Sequence, residues 1–98
     1  MTKEEIIKAI SGVMHPAINF SLLDLGIVKN IRVEDDKVKI TFTFPFPNIP
    51  IKDMLVNFID QPLKTIGVSA DYDFTVMSDE ERENFLRMET EGWKGAKD

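Results

Sequence analysis

The chain has 98 residues, of which 43% are hydrophobic, and carries a net charge of −5 with no cysteine. This length suits one domain with one core, and the acidic balance argues against nucleic-acid binding, which needs clustered Lys and Arg. Without thiols the chain can form neither a disulfide nor a thiolate-ligated metal site by itself. No apolar run approaches about 18 residues and the N-terminus is polar, so we expect neither a membrane span nor a signal peptide, and a cytoplasmic location.

The N-terminal segment predicts a helix. Thr2 and Glu5 form a capping box, and apolar residues follow at helical spacing, so the helix should cover about residues 3–13. His15 precedes Pro16, and a residue before proline is disfavoured in the α region. The helix should therefore end there, with a loop over residues 16–26.

Two strands are predicted next, joined by a polar turn at residues 34–36. In the first, over residues 27–33, Ile27, Ile31 and Val33 are placed to face a core. The second alternates apolar and polar side chains, as half-buried strands do. Its apolar set is Val38, Ile40, Phe42 and Phe44. The short connection predicts an antiparallel hairpin.

A second helix is indicated by apolar residues at three- and four-residue intervals. These are Ile51, Met54, Leu55, Phe58, Ile59, Leu63 and Ile66. Pro50 suits the first helical position, where a missing N–H costs nothing. Pro62 lies inside the pattern, which continues past it, so one kinked helix is expected rather than two elements. Gly67 should end it.

The C-terminal part predicts a third strand and a third helix. Residues 69–77 alternate, with Ala70, Tyr72, Phe74 and Val76 on one side. Ser78 and Glu81 form a second capping box, which opens a helix to about residue 90 that Gly92 ends. The polar residues that follow are expected to be disordered.

These elements predict an α+β fold in the order α-β-β-α-β-α. We expect a two-layer α/β sandwich, a small mixed sheet with helices on one face, and the third strand parallel to the second through a right-handed crossover. The open face should carry Lys37, Lys39, Thr41, Asp71 and Asp73. Residues 1–77 would form the main part of a single domain, and residues 78–98 its C-terminal helix and tail.

The turn from the second strand to the second helix is the best place for a site. It reads Pro45-Phe46-Pro47-Asn48-Ile49-Pro50, and α/β proteins tend to build sites beyond the carboxyl ends of strands. Its prolines remove backbone donors, which makes it a poor oxyanion hole or phosphate cradle.

Two motifs stand at characteristic places, Leu23-Asp24-Leu25-Gly26-Ile27-Val28 before the hairpin and Pro47-x-x-Pro50 at the turn. In these motifs the chain resembles the SufT-like and PaaD-like family of iron–sulfur cluster assembly proteins, whose domain is also fused to Mrp-type ATPases. The resemblance covers residues 2–76. It implies an assembly-related function in contact with an iron–sulfur scaffold, a carrier ATPase or a client protein.

The departures from the family pattern are specific. The family's Asp-Pro-Glu after the first helix is His15-Pro16-Ala17 here, and its characteristic cysteine falls on Ile49. The resemblance therefore implies a member without the family's thiol, acting as a non-catalytic accessory protein through protein contacts. No cofactor is expected, and no metal site.

Asp24 and His15 are candidate residues outside the turn. Asp24 either contacts a partner or accepts backbone N–H groups near Leu25 and Gly26, with partial burial between its flanking leucines. His15 is either a ligand or base, or a histidine placed favourably at a helix end. A metal-dependent module using both residues is one alternative function.

Within the turn, the candidate partner-binding residues are Phe46, Pro47, Asn48, Ile49 and Pro50. Ile49 could instead pack under the start of the second helix. The apolar residues of the C-terminal segment are Phe85, Leu86, Met88 and Trp93. They either pack on the domain or form a homodimer interface, or they offer a docking face to another protein. A structural or oligomerisation module is therefore the other alternative function.

Overall fold

Six elements occur in the predicted order in the computed structural model, which describes residues 2–35 and 37–94. They are α1 (Lys3–Ile10), β1 (Val28–Glu34), β2 (Lys37–Phe44), α2 (Lys52–Thr65), β3 (Ala70–Val76) and α3 (Asp79–Gly92). The α+β class and the order α-β-β-α-β-α are confirmed. No helix of the described part is both long and apolar enough to span a membrane.

The sheet has the order β1-β2-β3, with β2 in the middle. β1 pairs with β2 as the predicted antiparallel hairpin. β3 pairs with β2 in parallel, in one uninterrupted register from Val38 opposite Ala70 to Phe44 opposite Val76. The sheet is therefore mixed, as expected.

Two helices cover the apolar face of the sheet. α1 contacts both β1 and α2, and the Tyr72 hydroxyl of β3 donates to Asp60 Oδ1 of α2 at 2.7 Å. The fully buried side chains of this layer belong to α1, α2, β1 and β2; they are Ile6, Ile10, Leu55, Ile59, Leu63, Val28, Val38, Ile40 and Phe42. This packing confirms the two-layer sandwich.

Local sequence signals set most helix ends. Both capping boxes are present, at Thr2 and at Ser78, and Pro62 lies inside one continuous α2. α1 ends at Ile10 rather than near residue 13, since Ser11 and Gly12 are weak helix formers. Pro50 is not the first helical residue, because a turn with an Lys52 N–H to Ile49 O bond precedes the helix.

A β-bulge interrupts β1, and the alternation of apolar and polar residues does not predict it. The register shifts between Lys29 and Arg32, and Asn30 adopts a positive φ of 51°. An inserted residue moves the following side chains to the other face. Val28 before the bulge pairs with Phe42, and Val33 after it pairs with Val38, so an even-numbered and an odd-numbered residue of β1 face the same side of the sheet.

The second face of the sheet is less open than predicted. Thr41 and Thr43 are buried, whereas the flanking Lys37 and the two aspartates of β3 are exposed. The Arg32 guanidinium lies 3.0 Å from the carboxylate of Asp73, the residue that pairs with Thr41. Thr43 Oγ1 lies 3.0 Å from Thr75 Oγ1. Side chains of the neighbouring strands therefore cover the middle of this face.

α3 is fixed at both ends. At its start, Lys29 Nζ of β1 lies 2.6 Å from Glu81 Oε2. At its end, Asn19 N–H donates to Gly92 O at 2.7 Å, and Lys94 N–H donates to Ala17 O at 3.0 Å. Of the tail predicted to be disordered, Lys94 is held by this backbone bond, and residues 95–98 lie outside the described residues.

The first prediction concerns the only tyrosine of the chain. Burial and the hydrogen bond to Asp60 raise the pKa of Tyr72 above its ordinary value. Its contribution to stability is therefore complete below about pH 10, the unfolded pKa, and is lost as pH rises toward the folded pKa. We expect Tyr72→Phe to lower the free energy of unfolding by about 1–2 kcal/mol at neutral pH. The difference from wild type should shrink above pH 10 in urea titrations, and a constant difference would contradict this account.

The second prediction concerns Gly92. A Cβ at this position would lie 2.8 Å from the Phe20 ring and 3.1 Å from Asn19 N, whereas one at Gly12 would meet nothing within 4 Å. We expect Gly92→Ala to lower the free energy of unfolding by about 1–3 kcal/mol through overpacking. Gly12→Ala is the matched control and should change it by less than about 0.5 kcal/mol. Equal effects in urea unfolding would rule out the close packing at Gly92.

Candidate functional site

An apolar cavity of about 280 Å³ lies between the turn after β2 and α3. The turn contributes Phe46, Ile49 and Pro50, and α3 with its C-cap contributes Phe85, Glu89 and Trp93. The remaining lining residues are His15, Ala17, Ile27, Phe44, Pro45, Ile51 and Leu55. We call this space the turn cavity.

The turn is a short, rigid wall of the turn cavity. Pro45 is buried, and its carbonyl accepts a hydrogen bond from Arg82 Nε at 2.8 Å. Ile49 is half-buried and packs against the core, while Phe46 remains 47% exposed. Ile49 therefore both packs inward, as the structural alternative expected, and faces the cavity.

Arg82 of α3 contacts the turn and is absent from the residues predicted to form the site. Its guanidinium also donates to Met77 O at 3.2 Å, and its carbon Cζ lies 5.7 Å from the centre of the Phe46 ring. A cation near a helix N-terminus opposes the helix dipole. Arg82 lies beside the three acidic residues of that first turn. An arginine at this unfavourable position is the sequence feature that indicates a role other than helix stabilisation.

His15 forms the back of the turn cavity as a buried, neutral side chain. It lies in a loop closed by its N–H bond to Phe20 O, and its Nδ1 accepts the Ala17 N–H at 3.0 Å. Burial, with the nearby positive charge of Lys94, lowers the pKa of His15 below its ordinary value. With Nδ1 accepting a hydrogen bond, Nε2 is the nitrogen that carries the proton.

The C-terminal segment supplies the opposite wall. Phe85 is buried, Glu89 is half-buried and Trp93 is 41% exposed. Phe85 and the half-buried Met88 pack on the core, whereas Leu86 remains partly exposed. The aromatic residues of this segment thus serve both the fold and the turn cavity.

The structure brings only some of the predicted site residues together. His15, Phe46, Ile49 and Pro50 share the turn cavity. Pro47 and Asn48 line a second depression with Lys52, which Ile49 and Pro50 also line. The candidate partner-binding residues of the turn therefore face two sides.

Asp24 lies in a different depression, whose lining includes Lys29, Glu81 and Arg87. Its side chain is exposed rather than partly buried, so the expected burial between leucines is wrong. Its backbone N–H donates to Ser21 Oγ at 3.0 Å. The loop directs the two flanking leucines inward and the carboxylate outward.

The turn cavity is built for apolar contact. Its ionisable lining residues are His15 and Glu89, and the described residues contain no group of three His, Cys, Asp or Glu side chains that could hold a metal ion. A neutral histidine, one carboxylate and a ring of aromatic and aliphatic side chains suit the burial of an apolar group.

Comparisons with known proteins agree with this fold. One solved structure, described as a domain of unknown function, DUF59, from Bacillus anthracis, aligns with a TM-score of 0.63 and 18% identity. The alignment covers 87% of this chain and 89% of that one. Such a similarity shows the shared fold. Among curated proteins, no sequence matches the chain significantly.

A sequence family gives a stronger relationship. The family model for iron–sulfur cluster assembly proteins matches residues 3–70, a range that runs from the start of α1 to the first residue of β3. The match includes the whole turn after β2 and the loop that holds His15. The chain therefore belongs to the iron–sulfur cluster assembly protein family.

Proposed function

We propose that this protein is an accessory factor of iron–sulfur cluster assembly or iron–sulfur protein maturation that acts through protein–protein contacts. The observation that carries the proposal is the apolar turn cavity. Its lining includes the turn where the resemblance to SufT-like and PaaD-like proteins places the family's cysteine. Ile49 stands at that position, and its side chain lines the cavity. The candidate site therefore lies where the resemblance places the family's cysteine, but its surface is apolar.

The residues of the turn cavity do not fit direct ligation of a cluster. The chain contains no cysteine, and His15 uses Nδ1 to accept the Ala17 N–H. Iron–sulfur clusters are held mainly by thiolates, with histidine as the less frequent ligand. In this proposal the cluster is cargo that other proteins hold, and this chain binds one of those proteins.

The size and rim of the turn cavity favour a partner side chain over a free small molecule. Small-molecule sites usually measure about 300–1,000 Å³, and this cavity, at about 280 Å³, lies at the small end of that range. Phe46 and Trp93 are exposed at its lining, and aromatic residues around a desolvated pocket are typical of interface hot spots. We expect a partner to insert one aromatic or branched aliphatic side chain here.

The partner expected from the resemblance is a cluster scaffold, a carrier ATPase or an iron–sulfur client protein, in the cytoplasm. The alternatives have less support. A metal-dependent module would need His15 and Asp24 together, but they line separate depressions. Phe85 is buried in the chain's own core, so an oligomerisation role for the C-terminal segment would rest on the exposed Leu86 and Trp93 alone.

The third prediction tests the turn cavity as a binding site. Ile49→Asp places a carboxylate among apolar side chains, and we expect it to reduce binding of the native partner about tenfold or more. The measurement is affinity capture from the native source with identification and quantification of the captured proteins. Ile66→Asp is the matched control, because Ile66 is 51% exposed beyond the end of α2 and should leave capture unchanged.

Two results would contradict this proposal. Capture of no scaffold, carrier ATPase or iron–sulfur client by the wild-type chain would remove the assembly role. Unchanged capture by a folded Ile49→Asp variant would move the contact elsewhere. Circular dichroism and urea unfolding of both variants separate loss of binding from loss of folding.

The fourth prediction tests the absence of a resident metal. Protein purified without an affinity tag should contain far less than one equivalent of iron or zinc, and His15→Ala should leave that content unchanged. The reason is the ligand set of the turn cavity, one hydrogen-bonded histidine and one carboxylate. Elemental analysis decides: a stoichiometric metal that His15→Ala abolishes would favour the metal-dependent alternative.

A further inference from the structure

The two edges of the sheet differ in how they are protected. Natural sheets blunt their edge strands with bulges, prolines or charged residues, especially lysine. β1 has a bulge at Asn30 and carries Lys29 and Arg32. β3 has the sequence Ala-Asp-Tyr-Asp-Phe-Thr-Val, without proline, lysine or an interruption of its register. The β3 edge is the one open to another strand.

The backbone groups available at this edge follow from the register. Met77 N–H donates to Phe44 O at 2.7 Å, and parallel pairing directs both backbone groups of alternate residues toward the same neighbour. The odd-numbered residues of β3 therefore face β2. Tyr72, Phe74 and Val76 direct their N–H and C=O groups outward, where no described residue bonds them.

Apolar side chains flank this edge on the helix-covered face. Phe74 is 44% and Val76 47% exposed, although the Phe74 ring stacks 5.8 Å from Phe42 and 6.4 Å from Phe44. Lys52 Nζ lies 4.1 Å above the Phe74 ring. The side chains of an added strand that face the helix layer would lie beside Phe74 and Val76 and would bury these two residues.

Acidic side chains flank the same edge on the other face. Asp71 is exposed and has no ion-pair partner among the described residues. Asp73 is 65% exposed even with its contact to Arg32. Cross-strand neighbours of opposite charge stabilise a sheet, and like charges destabilise it. An incoming strand that carries Lys or Arg opposite these aspartates is therefore favoured.

The same charges disfavour a second copy of this chain. Antiparallel pairing of two β3 strands centred on Asp73 sets Asp73 against itself, and pairing centred on Tyr72 sets Asp71 against Asp73. Centring on Phe74 leaves the two Asp73 side chains as diagonal neighbours. Each copy also carries a net charge of −5, which adds repulsion.

We infer that the β3 edge is a docking site for an extended segment of a partner protein in which basic and apolar residues alternate. The segment adds a fourth strand, bonds the outward backbone groups of Tyr72, Phe74 and Val76, and pairs its basic residues with Asp71 and Asp73. This mode is strand addition, in which the backbone supplies affinity and the alternating side chains supply specificity. It uses none of the residues that line the turn cavity and does not depend on the proposed function.

The test uses the full chain and a synthetic, end-capped peptide of about eight residues that alternates lysine and valine. Binding is followed by nuclear magnetic resonance titration of ¹⁵N-labelled protein and by amide hydrogen exchange. We expect saturable shifts at β3 and slower exchange of the Tyr72, Phe74 and Val76 amides. A matched peptide with glutamate in place of lysine should bind at least about tenfold more weakly.

Two variants locate the contact. Asp71→Lys should weaken the lysine peptide about five- to tenfold, while Glu83→Lys, the same charge change on an exposed position of α3, should have little effect. Val76→Pro removes one outward N–H without breaking the ladder to β2, since edge strands tolerate proline at such positions. It should lower affinity with the fold retained.

Several outcomes would overturn the inference. These are failure of the lysine peptide to bind, equal binding of the glutamate peptide, protection at β1 instead of β3, or equal effects of Asp71→Lys and Glu83→Lys. A wild-type dimer in analytical ultracentrifugation that Asp71→Lys strengthens or Val76→Pro abolishes would assign the edge to a second copy. If Val76→Pro does not fold, the charge variants alone decide.

Discussion

The burial of β2 between two neighbouring strands is the constraint on which the rest of the structure depends. From Val38 onward the strand is buried except at the half-exposed Lys39, so its backbone groups must be bonded on both sides. β1 satisfies one side directly through the hairpin, whereas a parallel partner on the other side requires a connecting helix. That helix, α2, begins after the turn of residues 45–51, so the path of the chain that completes the sheet also creates the turn cavity.

The fold was predictable where local chemistry and burial agree. The two capping boxes, the alternation of β2 and the apolar spacing of α2 each point to the element that forms. The errors arise where tertiary contacts decide. The bulge at Asn30 cannot be read from alternation, because the inserted residue is defined only by how β1 pairs with β2. The burial of Thr41 depends on Arg32 reaching Asp73, two residues separated by 41 positions.

The position of the turn cavity was partly predictable from the sequence, but its full lining was not. A proline-rich turn between a strand and a helix identifies one wall, and His15 is distinctive as the only histidine of the chain. The other wall comes from α3, which follows β3 in the chain and reaches the turn only because β3 lies beside β2. The role of Arg82 has the same origin, since its bond to Pro45 O joins residues 37 positions apart. Contacts between residues so far apart in the sequence are set by the topology of the fold, and the periodicity of the sequence does not predict them.

The backbone bonds between residues 17–19 and 92–94 have a consequence for the order of events during synthesis. The loop that holds His15 emerges from the ribosome well before the end of α3, to which Asn19 and Ala17 bond. Because chains are made from the N-terminus, the hairpin of β1 and β2 can form early from local contacts. The turn cavity cannot exist until α3 has docked. In the proposed function, a partner that recognises the cavity therefore binds only chains in which α3 has already docked.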